Sequence, residues 1–242
     1  MASWTETRKQ QLDAVTGNAI QKGPQSLKKG TSLTQAISSS GGKKLFTGKI
    51  EFIRFNYDGS TDKTEEIVKE FKDERIVYFS NKKNIGLTRS LNKLILNSSG
   101  TYIARQDADD FSEKIRIENQ VDYMSKSKNK ICTTRAKIID SNKKIPGVSF
   151  YLPHKIAIKY KNPFIHGTLL IEKKFLESIG GYDERFKYAQ DYKLFKDILE
   201  KNIKIKSLNK TLYKLNNNNN ISSKFFEEQK YYFNCARYNI NP

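Results

Sequence analysis

From residue 50 onward the chain alternates short apolar runs with longer amphipathic ones. "KIEFIRFNYDG" carries Ile50, Phe52 and Ile53 and stops at an Asp-Gly turn, which predicts a strand. "STDKTEEIVKEFKD" opens with Ser and Thr caps, carries early acids and sets Ile67, Val68 and Phe71 on one face, which predicts a helix. "RIVYFS" is a strand, and "GLTRSLNKLILNSSG" is a helix with Leu87, Leu91, Leu94 and Ile95 inward. "TYIARQ" is a strand that ends on acid. "SEKIRIENQVDYM" is a helix striped by Ile117, Val121 and Met124. Later come a strand in "KICTTRAKIID", a strand, a helix and a Gly-Gly stop in "FIHGTLLIEKKFLESIGGYD", and an amphipathic helix in "QDYKLFKDILEKN". Strands separated by helices of 10–15 residues predict a largely parallel α/β sheet covered on both faces.

The front differs. Residues 1–48 are rich in Ser, Thr, Gln and Gly, and their one helical signal is "GTSLTQAISSSGG". "AVTGNAI" and "PQSLKKG" read as short strands around a Gly23-Pro24 turn. The expected division is 1–48, an atypical N-terminal segment, and 49–242, the α/β domain.

Composition narrows the class. Apolar residues make up 37% and charged residues 29%, and no run approaches the roughly 20 apolar residues of a spanning helix. The first 30 residues hold no apolar leader core, so a cytoplasmic location is expected. Cys132 and Cys235 lack metal or disulfide spacing and read as ordinary thiols. The net charge of +18 comes mainly from lysines spread over nearly every element. That spread favours a solvated basic surface over a nucleic-acid footprint, and no nucleic-acid-binding motif accompanies it.

Against that excess of base, "RQDADDF" places Asp107, Asp109 and Asp110 directly after a strand. Open α/β sheets bind ligands at the carboxyl ends of their strands. Carboxylates at i and i+2 of an extended segment face one side and suit Mg²⁺ or Mn²⁺ shared with substrate phosphates. On spacing alone, a solvated acidic turn capping the next helix is the favoured reading, because D-x-D is short and common.

The string from "DGSTDKTEEIV" to "YIARQDADDFSEKIRIENQV" resembles the inverting glycosyltransferases of family 2, which have the GT-A fold. "DGSTD", "N-x-G-L…L-N", "YIAR-x-DADD", "NPFIHGTLL", "GGYDERFKYAQDYKLF" and "LYKL…ISS" follow that family's order over about residues 50–230. The resemblance implies transfer of a sugar from a nucleotide-diphosphate donor to an acceptor hydroxyl. It makes Asp107 and Asp109 the metal and donor residues, with Asp110 behind them. Asp58 becomes a nucleotide contact, although Tyr57 stands where a second acid is usual. Asp191 becomes the base, with Gln190 in place of the usual Glu; its bland reading is a helix cap. His166 is an acceptor-site candidate or a satisfied core histidine. Arg89 and Arg105 are candidates to meet phosphate. Asn217 falls where relatives carry a late histidine near the metal. The implied partners are a nucleotide-sugar and a saccharide or lipid-linked acceptor, with peripheral association at the inner membrane and no specific nucleic acid.

No match to the family's first strand and helix precedes "DGSTD". Instead "VTGNAIQKGPQSLKKGTSLTQAISSSGGKKLFTGKIEFIRF" resembles the β-grasp ligand-binding module of polysaccharide-export proteins. A sheet lacking an inner strand would leave backbone groups unpaired. Two functional expectations follow: an active polysaccharide or lipopolysaccharide transferase, or an impaired, scaffold-like fusion that binds an assembly partner.

Overall fold

The computed structural model describes residues 12–16, 50–53, 76–79, 81, 83–107, 110–216 and 225–242. Asp58, Asp109, the expected helices at 60–73 and 31–42, and most of the β-grasp-like stretch lie outside these residues.

One sheet organises the fold, in the order β3-β2-β1-β4-β8-β6-β9-β5, with β7 paired to β6. Its strands are β1 (Leu12–Thr16), β2 (Ile50–Ile53), β3 (Ile76–Phe79), β4 (Tyr102–Gln106), β5 (Phe111–Ser112), β6 (Ile131–Ile138), β7 (Lys144–Ile145), β8 (Leu170–Glu172) and β9 (Lys206–Leu215). The first four neighbours are parallel. β8 runs antiparallel to both β4 and β6, β9 is parallel to β6, and β5 is antiparallel to β9. The largely parallel expectation therefore holds for one half of the sheet and gives way to mixed pairing in the other. The long β9 and a C-terminal helix had no counterpart in the sequence pattern.

The inner-strand position is filled. β1 pairs with β2 on one side and with β4 on the other, in register from Leu12 opposite Tyr102 to Thr16 opposite Gln106. The strand begins two residues before the "AVTGNAI" run and serves the main sheet, so β4 has backbone partners along both edges.

The helices are α1 (Leu87–Asn97), α2 (Arg116–Ser127), α3 (His154–Ala157), α4 (Lys173–Ser178), α5 (Gln190–Glu200) and α6 (Phe226–Tyr238). Side-chain alternation in the strands divides the core. Ile103, Ile171 and Ile131 are cross-strand partners that face α1, α4, α5 and α6. Ala104, Leu170 and Cys132 point the other way, onto Ile117, Val121 and Met124 of α2. The predicted inward residues Leu91, Leu94, Ile95, Leu194, Ile198 and Leu199 are all buried. No helix among the described residues is long and apolar enough to cross a membrane.

Candidate active site

β4 runs into the sheet's centre and stops at Asp107, which is thereby delivered to a strand carboxyl end. Four contacts fix the turn that follows. The backbone N–H of Asp107 donates to the Tyr213 hydroxyl at 3.1 Å, and Gln106 Nε2 donates to the Asp107 carbonyl at 2.8 Å. The Asp110 N–H donates to the same carbonyl at 3.2 Å. Asp110 Oδ1 accepts the Asn216 N–H at 2.7 Å. Asp110 is 4% exposed, so this acid ties the turn to the end of β9.

Asp107 is half-buried and ion-paired with Nη2 of Arg105, two residues earlier on the same face of β4. Burial pushes its carboxyl up from the ordinary value, and Arg105 and Arg116 pull the other way. Arg105 is nearly sealed from solvent, and its Nε and Nη1 have no hydrogen-bond partner among the described residues. A buried guanidinium with free donors is costly, and such donors suit an incoming oxygen ligand.

The opposite wall comes from α5 and the chain before it. Asp191 stands in the first turn of α5, whose cap is Ala189 in the left-handed conformation, φ 53°. Asp191 is therefore not the capping residue. Its Oδ2 accepts Asn162 Nδ2 at 2.8 Å, and backbone N–H groups of Asp191 and Tyr192 also donate to the carboxylate. Burial raises its pKa, and the negative charge of Asp107 raises it further. Asp107 thus stands close enough to Asp191 for its charge to act there. His166 sets its Nε2 2.8 Å from the Tyr182 hydroxyl, and Arg105 is near enough for its charge to act on the ring. Burial, reinforced by Arg105, holds the His166 pKa well below the usual value, so the ring is neutral. Burial keeps the Tyr182 hydroxyl protonated.

Sequence motifs acquire physical roles in this frame. Asn92, from "L-N", clamps the backbone of Tyr182: its Oδ1 accepts the Tyr182 N–H at 2.9 Å and its Nδ2 donates to the carbonyl at 2.8 Å. Gly181 precedes that clamp at φ 70°, and a Cβ there would stand 2.7 Å from Asn92 Oδ1. A Cβ on Gly167 would meet the Tyr213 hydroxyl at 2.4 Å, so glycine is what lets β9 approach. Arg89, on the first turn of α1, is exposed and pairs with Glu184 at 3.5 Å.

Asn162 and Tyr182 were not singled out from the sequence. The only signal for them was their place inside "NPFIHGTLL" and "GGYDERF".

Asp107 offers hard carboxylate oxygen at the strand end, with one oxygen paired to Arg105, and this donor type fits a divalent cation of the Mg²⁺ or Mn²⁺ type. Among the described residues no group of three or more His, Cys, Asp or Glu side chains gathers around one point. Such cations are commonly held by one or two carboxylates together with substrate phosphates.

The chain is 30% identical over 158 residues to the UDP-Glc:alpha-D-GlcNAc-diphosphoundecaprenol beta-1,3-glucosyltransferase WfaP of Escherichia coli, covering 63% of this chain and 60% of WfaP. It is 29% identical over 188 residues to the O-antigen biosynthesis glycosyltransferase WbnJ of Escherichia coli, covering 72% and 71%. Three further curated relatives are matched over 59%, 47% and 48% of their lengths, so the chain spans about half of most of them. In fold it resembles the mannosyltransferase PcManGT of Pyrobaculum calidifontis, solved with GDP-Man and Mn²⁺: TM-score 0.67, 14% identity, 91% of this chain and 61% of that one. The sequence model of glycosyl transferase family 2 matches residues 49–182, more than half of the chain. The chain belongs to glycosyltransferase family 2.

Proposed function

We propose that the chain transfers a sugar, with inversion, from a nucleotide-diphosphate donor to an acceptor hydroxyl in surface-polysaccharide or lipopolysaccharide assembly. The observation that supports this reading is the placement of Asp107 at a strand carboxyl end, near enough to Asp191 for its charge to act on that carboxyl. An inverting displacement needs a base on one side of the anomeric carbon and stabilisation of the departing diphosphate on the other. Asp191 Oδ1 takes the acceptor proton while Asn162 holds Oδ2. The acceptor oxygen bonds to the anomeric carbon as the bond to diphosphate breaks. Asp107, with Asp109, holds Mg²⁺ or Mn²⁺, which when bound neutralises charge on the leaving group. The free donors of Arg105 meet donor oxygens, Asp58 contacts the nucleotide, and His166 lines the acceptor side. Of residues 1–48, whose sequence resembles a β-grasp module, Leu12–Thr16 supply β1 to the transferase sheet.

The names of relatives support the chemistry: WfaP acts on a diphosphoundecaprenol-linked acceptor, and PcManGT was solved with GDP-Man and Mn²⁺. The impaired-scaffold alternative took its motive from a vacant inner strand, and β1 occupies that place. The test is radiolabelled transfer from UDP- and GDP-sugars with Mn²⁺, alongside calorimetric binding of UDP and GDP. Binding and metal-dependent turnover are expected. Absence of both nucleotide binding and donor hydrolysis would sink the proposal.

A further inference from the structure

Residues 141–171 contain five lysines and no Asp or Glu, in a chain with 26 acids. The same stretch concentrates the exposed apolar surface. Val148 is 79% exposed, Tyr151 70%, Ile156 50% and Tyr160 70%, with Leu152 also open. Five of the twelve large exposed hydrophobic residues among the described residues thus fall within thirteen positions, which makes this a patch rather than scatter.

Helical hydrogen bonding from Pro153 through Lys161 gives the patch its geometry. Ala157 and Ile158 turn inward, so Leu152, Ile156 and Tyr160 line one outward stripe at four-residue spacing. Lys155 and Lys159 flank that stripe. Among the described residues neither lysine is paired with a carboxylate. Beside it, between α3, α5 and α6, lies a cavity of about 490 Å³. Lys155, Lys159, Lys196 and Arg237 line it with Ile158 and Leu199; its one acid, Glu200, is paired with Lys196.

We propose that this face docks on the surface of an anionic phospholipid bilayer. Tyr151, Ile156 and Tyr160 would sink to the headgroup level, and the rim cations of the cavity would meet lipid phosphates. Amphipathic aromatics suit the bilayer interface. Basic residues beside them are each drawn to an anionic leaflet. The absence of acid across 31 residues removes the repulsion such a leaflet would exert. The patch is also joined to the catalytic wall. The Tyr192 hydroxyl donates to the Ile158 carbonyl at 2.8 Å, and Asn162, next after Lys161, holds Asp191. A bilayer on this face would therefore lie beside the proposed base. That it delivers a lipid-linked acceptor there rests on the proposed function, whereas the docking itself does not.

The experiment is sedimentation of the full chain with phosphatidylcholine vesicles, with and without 30 mol% phosphatidylglycerol, at about 0.1 M salt, where surface attraction is not screened out. Wild type should bind the anionic vesicles and scarcely the neutral ones. Ile156→Glu/Tyr160→Glu and Lys155→Glu/Lys159→Glu should each weaken partitioning at least tenfold. Lys126→Glu/Lys128→Glu, on the opposite side of the sheet, should change it less than twofold. Equal losses in all three variants would mean general charge attraction and overturn the assignment, as would undiminished binding in both patch variants. A self-association of the free chain that the patch variants abolish would assign the face to a second copy instead, and preferential retention on RNA would do the same for nucleic acid. Should a double variant fail to fold, Ile156→Cys carrying a polarity-sensitive dye reads insertion directly, since Cys132 and Cys235 are buried. A blue shift with anionic vesicles supports docking, and an unshifted spectrum refutes it. Nucleotide turnover plays no part in these readouts, so a failure here leaves the transferase reading untouched.

Discussion

Two buried arginines stand on opposite faces of β4 near its end, and they are treated differently. Arg116 rises from α2 and spends its guanidinium on the fold: it donates to the Gly167 carbonyl at 2.8 Å, the Arg105 carbonyl at 3.1 Å and Ser112 Oγ at 2.5 Å. It also lies over the Tyr213 ring, 5.2 Å from the centroid. Burial draws its pKa down to about 10, which still leaves it charged at neutral pH. Arg105, on the other face, has one partner, Asp107, and two nitrogens with none. The same side chain thus closes a network on one side of the strand and leaves one open on the other. Closed polar networks hold a structure, whereas open ones await a ligand.

The sharpest tests of that contrast lie on the open side. Asp191→Asn should cut transfer roughly 10³-fold, the scale of a lost general base, while nucleotide affinity changes little. Steady-state rates beside calorimetry separate the two, and a variant that turns over normally would remove the base from this wall. On the closed side, Arg116→Met should cost about 3 kcal/mol in urea unfolding, because several buried oxygens lose their donor.

Arg105→Met opposes two effects: it abandons Asp107 but removes two unmatched donors. Its stability should stay within about 1 kcal/mol of wild type while the donor dissociation constant rises roughly tenfold. If Arg105→Met unfolds as readily as Arg116→Met and binds donor normally, the contrast is broken.

A smaller effect is pH-dependent. The folded-state pKa of Asp191 is raised, so its ionised form costs the fold stability at neutral pH, and that cost disappears as pH falls through the folded pKa. Asp191→Asn should therefore raise the melting temperature by a few degrees near pH 8 and lose that advantage toward pH 4. The acid limb of the transfer rate should correspondingly sit above an ordinary aspartate value, because only the ionised base accepts a proton. The mildest perturbation is Gly167→Ala. Its Cβ displaces the Tyr213 hydroxyl from the Asp107 N–H and should cost about 1–2 kcal/mol with a modest rise in donor KM.

The amphipathic stripes of α1, α2 and α5 were legible because each helix buries one face against the sheet, and that demand writes its period into the sequence. β4 and its terminal acids were legible for a similar reason, since an apolar run that halts on carboxylates marks a strand leaving the core. β9 was not, because Lys206, Asn209 and Lys210 are exposed and dilute the strand signal. The mixed half of the sheet was hidden too, since strand direction is set by which neighbour closes the core and not by the strand's own residues.

The sequence by itself determined the layered α/β character, the inward faces of the helices, and the order of acids and asparagines that marks the family. Those features are local, fixed by spacing along the chain. Only the tertiary structure decided that Leu12–Thr16 enters the sheet between β2 and β4, that the charge of Asp107 acts on Asp191, and that Asn162 holds the Asp191 carboxylate. It also decided that Arg105 keeps donors free where Arg116 keeps none of its bonding side open. Each of these is a meeting of residues far apart in the chain, and what a side chain can do there depends on burial and neighbours that no local pattern records.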